Sequence, residues 1–277
     1  MARARALVRE NVKLVDLILE VVDARIPLSS SNPELEKIRG SRPSLLVLNK
    51  ADLADPAATA SWQEWFRAQG REAVPADSLT GQGVREIIKA SRRLVRPLVE
   101  KLRARGRRSR AVRLMIVGIP NVGKSSLLNR LAGRKRAATG AKPGITRGKQ
   151  WVKVEGELEL LDLPGILWPR VEDEDIGRKL AATGALPLEN IPVEEVALWL
   201  GAFLLDKAPA QLQSRYDLPA GVKEPEELLE HIARRRGLLL PGGVADRDRT
   251  ARLLLQEFQR GQLGRITLEL PPGEGYQ

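Results

Sequence analysis

Apolar positions fall into two rhythms along the chain, and the change comes near residue 171. Before it, short apolar runs recur: LVDLILEVVDAR (14–25), SLLVLNK (44–50), EAVPADS (72–78), VRLMIVG (112–118), QWVKVEG (150–156) and LELLDLPG (158–165). Such runs, rich in Val, Leu and Ile, suit strands covered on both faces of a parallel sheet. Segments with helical spacing lie between them. Residues 1–13 predict a basic helix, and PAATASWQEWFRAQG ends on a Gly stop. GVREIIKASRRLVRPLVEKLRARGRRSR is a helix interrupted or bent near Pro97 that runs into a basic linker, about 97–111. Another helix runs from Lys124 to about Leu131. Strands alternating with helices predict an α/β domain: a mostly parallel sheet with helices on both faces.

Past residue 171 the strand pattern nearly vanishes. VEEVALWLGAFLLDK, PEELLEHIARRR and DRTARLLLQEFQRG place apolar residues three and four apart, separated by Pro and Gly punctuation. The division predicted is residues 1–171 for the α/β domain and 172–277 for a smaller, all-helical, basic domain with its own core. A length of 277 residues suits two modest domains.

Composition narrows the class. With 43% hydrophobic and 29% charged residues the chain should fold. It has no cysteine, which excludes disulfides and thiolate metal sites and suits a reducing cytoplasm. No apolar stretch approaches the ~20 residues that span a bilayer, and the basic start, broken by Glu10 and Asp16, forms no apolar signal core. A cytoplasmic monomer without a membrane is expected. The net charge of +11 favours a polyanionic partner, nucleic acid first.

Candidate chemistry centres on GIPNVGKSS, residues 118–126, which has the Gly-x4-Gly-Lys-Ser pattern of a phosphate loop between an apolar strand and a helix. Gly118 and Gly123 let the backbone curl so that its N–H groups, with those of Val122, Lys124 and Ser126, face phosphate oxygens at a helix N-terminus. Lys124 would hold the β- and γ-phosphates, and the Ser125 hydroxyl would go to Mg²⁺. Asp162, ending the apolar run before Pro-Gly, is the expected acid of the Mg²⁺ site. Thr146, in KPGITRG, is the second hydroxyl ligand, and the Gly165 N–H can reach the γ-phosphate.

NKAD, residues 49–52, supplies a base-reading loop. Guanine differs from adenine in its 6-oxo group and its N1–H and 2-amino donors. The two oxygens of Asp52 can accept both donors, Asn49 can bond the 6-oxo/N7 side, and the stem of Lys50 can lie along the base. VPADS (74–78) fits a second base turn, with the Ala76 N–H on the 6-oxo group and Asp77 beside it. The base loops thus precede the phosphate loop, the reverse of ordinary guanine-nucleotide proteins. A compact domain tolerates relocated termini when a linker rejoins the old ends, and residues 84–111 are long enough to do so. The expected fold is a circularly permuted P-loop GTPase domain followed by an all-α domain.

The rotated motif order, with DARIPLSSSNP, NKAD, GIPNVGKSSLLNRL, KPGITRG, DLPGI and a tail ending GQLGRITLELP, resembles the RbgA/YlqF family of ribosome-biogenesis GTPases over nearly the whole chain. The resemblance implies GTP hydrolysis to GDP and phosphate, and a role in late maturation of the large ribosomal subunit. It also implies rRNA and the subunit precursor as partners, and a K⁺ ion held by Asn121. Ile166 stands where many small GTPases carry a water-orienting Gln, so slow turnover raised by K⁺ and by the ribosome is expected. Catalytic weight falls on Lys124, Thr146, Gly165 and Asn121, and none on the single histidine, His231. A scaffold that binds RNA and keeps a vestigial nucleotide site is the alternative. Residues 92–113, with ten Lys and Arg against Glu100 alone, and the tail arginines 234–236, 247, 249 and 252 are candidate phosphate contacts. No aromatic platform is evident, which favours recognition of rRNA shape.

Overall fold

The computed structural model describes residues 9–106, 110–133, 150–154, 158–162, 173–187, 189 and 191–274. Within them the chain forms two compact units, one of residues 1–52 and 56–170, the other of 53–55 and 171–277.

The first unit is built on six strands: β1 (Leu17–Asp23), β2 (Ser44–Asn49), β3 (Glu72–Ala76), β4 (Val112–Val117), β5 (Gln150–Val154) and β6 (Leu158–Asp162). Their order in the sheet is β3-β2-β1-β4-β6-β5, parallel except for the antiparallel edge pair β5–β6. All six apolar runs of the sequence therefore become strands. The runs overshoot at their ends because pairing stops: the β2–β3 ladder closes on Asn49↔Ala76, which leaves Lys50, Asp77 and Ser78 to the loops.

Among the described residues, besides a helical turn at 9–12, four helices accompany the sheet: α1 (Pro33–Arg39), α2 (Pro56–Ala68), α3 (Val84–Ala104) and α4 (Lys124–Ala132). The chain steps outward from β1 through β2 to β3, then returns across β1 to β4 and β6. Right-handed crossovers in opposite directions put α1 and α2 on one face and α3 and α4 on the other. On the first face Leu35 and Ile38 of α1 close over Ile18, Met115, Val117 and Leu161. Alternation along the strands turns Leu17, Leu19, Leu114 and Ile116 to the second face. All seven residues of β1 are buried, as a central strand requires.

Of the interruption or bend expected near Pro97, the interruption is not there: α3 runs unbroken from Val84 to Ala104 with Pro97 inside it. Pro97 and Arg93 lie on the exposed side, so the carbonyl that loses its N–H partner faces water, which softens the cost of the missing bond. The short helix α1 was not apparent in the sequence.

The second unit holds α5 (Glu174–Ala182), α6 (Val193–Lys207), α7 (Pro209–Tyr216), α8 (Pro225–Arg236) and α9 (Arg247–Gln259). Leu200 and Leu204 of α6, Leu228 and Ile232 of α8, and Leu254 and Leu255 of α9 are all buried. Gly201 lets α6 approach α8, since a Cβ there would stand 3.3 Å from both Leu228 and Pro225. Glu257, 4% exposed, is held by the Tyr216 hydroxyl at 2.9 Å and by both arms of the Arg215 fork at 2.8 and 2.7 Å. Residues 53–55 join this unit through Ile266 N–H to Leu53 O (3.0 Å), Arg265 Nε–H to Ala54 O (2.9 Å) and Asp55 N–H to Thr267 Oγ1 (3.0 Å). Among the described residues no helix is long and apolar enough to cross a membrane.

Candidate nucleotide site

Strand order reverses between β1 and β4, and in an open parallel sheet ligands sit outside the carboxyl ends of the strands at such a point. Here that edge carries the loops after β1, β2, β3 and β4. Two motifs about seventy residues apart in sequence thereby become neighbours.

Backbone geometry in the phosphate loop is what a curled cradle needs. Gly118 has φ +152 and Gly123 φ +93, both inaccessible to ordinary side chains without strain. Space forbids them too: a Cβ on Gly118 would lie 2.3 Å from the Val21 carbonyl of β1, and one on Gly123 2.2 Å from the Asn49 side-chain nitrogen. Asn121 also has a left-handed backbone, φ +59, one of three non-glycine residues to do so among the described residues. Val122 is buried and anchors the turn. Helix α4 starts at Lys124 with Gly123 as its N-cap, with neither a side-chain cap nor an acid in its first turn. The N–H groups of that turn, and the exposed Ser125 and half-buried Ser126 on it, are thus left to an anion.

Lys124 donates to the Ile119 carbonyl inside the loop. Burial alone pushes its ammonium down to about 8. Phosphates act the other way by favouring the charged form, so nucleotide binding above pH 8 takes up a proton, and affinity falls as pH rises through 8. The Kd of a fluorescent GDP should rise about tenfold between about pH 7.5 and 9. A flat profile would mean that Lys124 takes up no proton on binding.

The base loops are tied to this cradle. Asn49, 2% exposed, donates Nδ2–H to the Val122 carbonyl at 2.6 Å, while its Oδ1 accepts from Ser78 Oγ at 2.6 Å and Ser78 N–H at 3.2 Å. One amide therefore clamps phosphate loop, base loop and the turn after β3, and keeps a second Nδ2 hydrogen for a ligand. The Ala51 N–H donates to the Ala76 carbonyl at 3.1 Å. From α4, Arg130 reaches the carbonyls of Ser78 and Leu79. Asp52 is exposed on the turn, where its carboxylate can meet a base edge. Asp77 is turned into its own loop, accepting from Leu79 N–H at 2.7 Å and from Thr80 Oγ. Burial opposes its ionisation, but these bonds outweigh that and lower its pKa.

Lys50 has φ +60, and its ammonium sits 2.9 Å from Asp23 Oδ2. Asp23 ends β1 and is 1% exposed, as is Arg25, which grips both carboxylate oxygens at 2.9 and 2.7 Å. Burial works against the Asp23 charge, yet Arg25 and then Lys50 overcome it and hold the pKa far below the usual carboxylate range. Asp23 thereby fixes where the Lys50 stem lies. From the residues alone Asp23, Arg25 and Arg130 carry no individual role, and Ser78 is only the last residue of the VPADS turn. A signal existed: an acid two residues before an Arg, at the end of a dense apolar run, needs a partner once buried.

Thr146 and Gly165 lie outside the described residues, as does the side chain of Asp162. The backbone places Asp162 at the end of β6, on the strand beside β4. The donors available, a hydroxyl at Ser125 and carboxylate and hydroxyl groups at Asp162 and Thr146, are the hard oxygens Mg²⁺ takes, and the cradle at Gly118–Gly123 leaves room only for backbone. These residues fit a nucleotide with Mg²⁺.

Residues 113–216 match the family described as 50S ribosome-binding GTPase. Over 272 residues the chain is 46% identical to ribosome biogenesis GTPase A of Priestia megaterium, covering 98% of this chain and 94% of that one. It is 34% identical to the protein of the same name from Thermotoga maritima, over 97% and 91%. Among solved structures it is similar to GNP-bound YlqF from T. maritima, with a TM-score of 0.67 and 30% identity over 98% and 99% of the two chains. A GDP-bound YlqF structure matches with a TM-score of 0.68, also at 30% identity, over 96% and 99%.

Proposed function

Because this chain belongs to the ribosome biogenesis GTPase A family, and so is a GTPase with a permuted P-loop domain, we propose that it acts in late maturation of the large ribosomal subunit, binding the precursor and its rRNA in a nucleotide-dependent way. The observation that carries the nucleotide half of this reading is the Asn49–Val122 hydrogen bond. It supports reading two motifs that stand in swapped order along the chain as one site.

In this reading Asp52 accepts the guanine N1–H and 2-amino hydrogens, the Ala76 N–H donates to the 6-oxo group, and Lys50 lies along the base. Lys124 and the N–H groups of Val122, Gly123, Ser125 and Ser126 hold the phosphates. Ser125, Thr146 and Asp162 would hold Mg²⁺, whose charge when bound offsets that of the phosphates. Gly165 donates to the γ-phosphate. Ile166 cannot orient water, so the attacking water is left to the Thr146 loop, ordered by the subunit. Asn121, with its left-handed backbone inside the phosphate loop, would lend its side-chain oxygen to K⁺.

Sedimentation with ribosomal subunits tests the assignment. The chain should pellet with large-subunit precursors under a non-hydrolysable GTP analogue and much less under GDP, and hydrolysis should run faster in K⁺ than in Na⁺. Loss of large-subunit preference would overturn the assembly role, and equal rates in the two salts would remove Asn121 from the mechanism.

A further inference from the structure

The opposite edge of the same sheet, at the amino ends of the strands, carries a second feature. A cleft of about 820 Å³ opens there, bounded by the starts of β2 and β3 at Ser44 and Glu72 and by α2 and α3. Five cations line it, Arg39, Arg67, Arg71, Lys89 and Arg93, against two acids, Glu72 and Glu86. A second cleft of about 700 Å³ lies along the rest of α3, reaching the starts of β4 and β6 at Val112 and Leu158. It adds Arg92, Arg96 and Arg103 against Glu100. Arg93 borders both, so the two form one basic track. Lys89, Arg93, Arg96 and Arg103 recur at helical spacing on α3, a stripe of about 21 Å at 1.5 Å per residue.

The charges divide into two sets. Arg39 is paired with Glu36, Arg71 with Glu20 at 2.5 Å, Arg93 with Glu72 and Arg96 with Glu100 at 2.8 Å, which holds these guanidiniums in place along the walls. Arg67, Lys89 and Arg103 are exposed and form no ion pair among the described residues. Farther along the chain, Arg110 is bound at 2.8 Å to Asp16, and Arg113 sits over the Trp151 ring. The basic run read from the sequence is therefore part scaffold, part available charge.

We propose that this track is a docking surface for the phosphate backbone of duplex RNA, at the edge of the sheet opposite the nucleotide loops. The proposal deepens the ribosomal reading and rests on it. RNA is favoured over other polyanions by three features. The track is concave and long enough for several successive phosphates. Its floor is apolar at Val95, Val99, Val112 and Leu158, suited to sugar edges. Among the described residues no aromatic side chain lines it, so it offers no stacking surface for splayed bases and reads a helix by shape.

The test uses the full chain and a fluorescent RNA hairpin of about 16 base pairs, with anisotropy measured from about 50 to 200 mM KCl. The variant Arg67→Ala/Lys89→Ala/Arg103→Ala removes only exposed cations outside the nucleotide site, so its melting temperature and basal GTPase rate should match the parent. Its slope of log Kd against log salt should fall by about 2 to 3, with at least tenfold weaker binding at low salt. An unchanged slope overturns the proposal, as does a parent chain that ignores the hairpin. So does a variant that loses only polyglutamate or phosphatidylserine vesicles, which would put an acidic protein or a membrane in the track. A parent that binds the hairpin as expected yet fails to sediment with large-subunit particles would sink the ribosomal reading and leave the track standing.

Discussion

Asp52→Asn should lower GTP affinity by roughly 10³-fold or more and create binding for XTP. The reasoning is donor counting. A carboxylate offers two acceptors to the N1–H and 2-amino hydrogens of guanine. An amide keeps one acceptor and turns its NH₂ toward the 2-amino group, donor against donor. Xanthine carries an oxygen at that position, which accepts from the new amide. Sites built on hydrogen bonds discriminate steeply because the wrong ligand leaves a polar group unpaired. Asp52 is exposed on its turn, so the substitution should not disturb folding. Displacement of a fluorescent nucleotide by GTP, XTP and ATP reads the outcome directly. Retained GTP affinity in this variant would mean that Asp52 does not face the base.

Asp23→Ala should cost about 3–5 kcal/mol, because it leaves Arg25 buried without its carboxylate. In a unit of this size that is a fall of roughly 10 °C in Tm. The carboxylate and the guanidinium are each 1% exposed and joined at 2.7 Å, so solvent screening offers no relief. Replacing both partners is a different matter. Asp23→Ala/Arg25→Met should recover most of the stability, since an apolar pair of similar volume often does as well as a buried ion pair. Nucleotide affinity should stay about tenfold weaker, because Lys50 has lost the anchor 2.9 Å away that fixed its stem. If the double variant binds GDP like the parent, Asp23 is structural only. The pH dependence has a definite sign. With its folded pKa depressed, Asp23 contributes stability that is fully present above its unfolded value of about 4 and lost as pH falls below it toward the folded pKa. The double variant should lack that share of the acid limb.

Strands were legible because each is a dense apolar run between turn residues, and the phosphate loop because its glycines and lysine stand at fixed spacing. Helices α6, α8 and α9 were legible through their long three- and four-residue period. The short helices α1, α5 and α7 were not, since seven to nine residues give barely two turns of periodicity. Nor was the membership of residues 53–55 in the second unit, which depends on hydrogen bonds to residues 265–267, more than 200 positions away.

The site divides along the same line. By itself the sequence determined which groups are present: a carboxylate in the NKAD loop, an ammonium beside the glycines of the phosphate loop, hydroxyl and carboxylate oxygens suited to a metal, and an excess of positive charge. These are properties of residue type and local spacing, and they survive the swapped order of the motifs. Only the tertiary structure decided which charges are committed and which remain available. A buried charge must find a partner wherever the fold brings one, so Asp23 takes Lys50 and Arg25, Glu20 takes Arg71, and Asp16 takes Arg110. Arg67, Lys89 and Arg103 stay exposed along the basic track. Those pairings span up to 94 residues, a distance over which sequence spacing carries no geometric information.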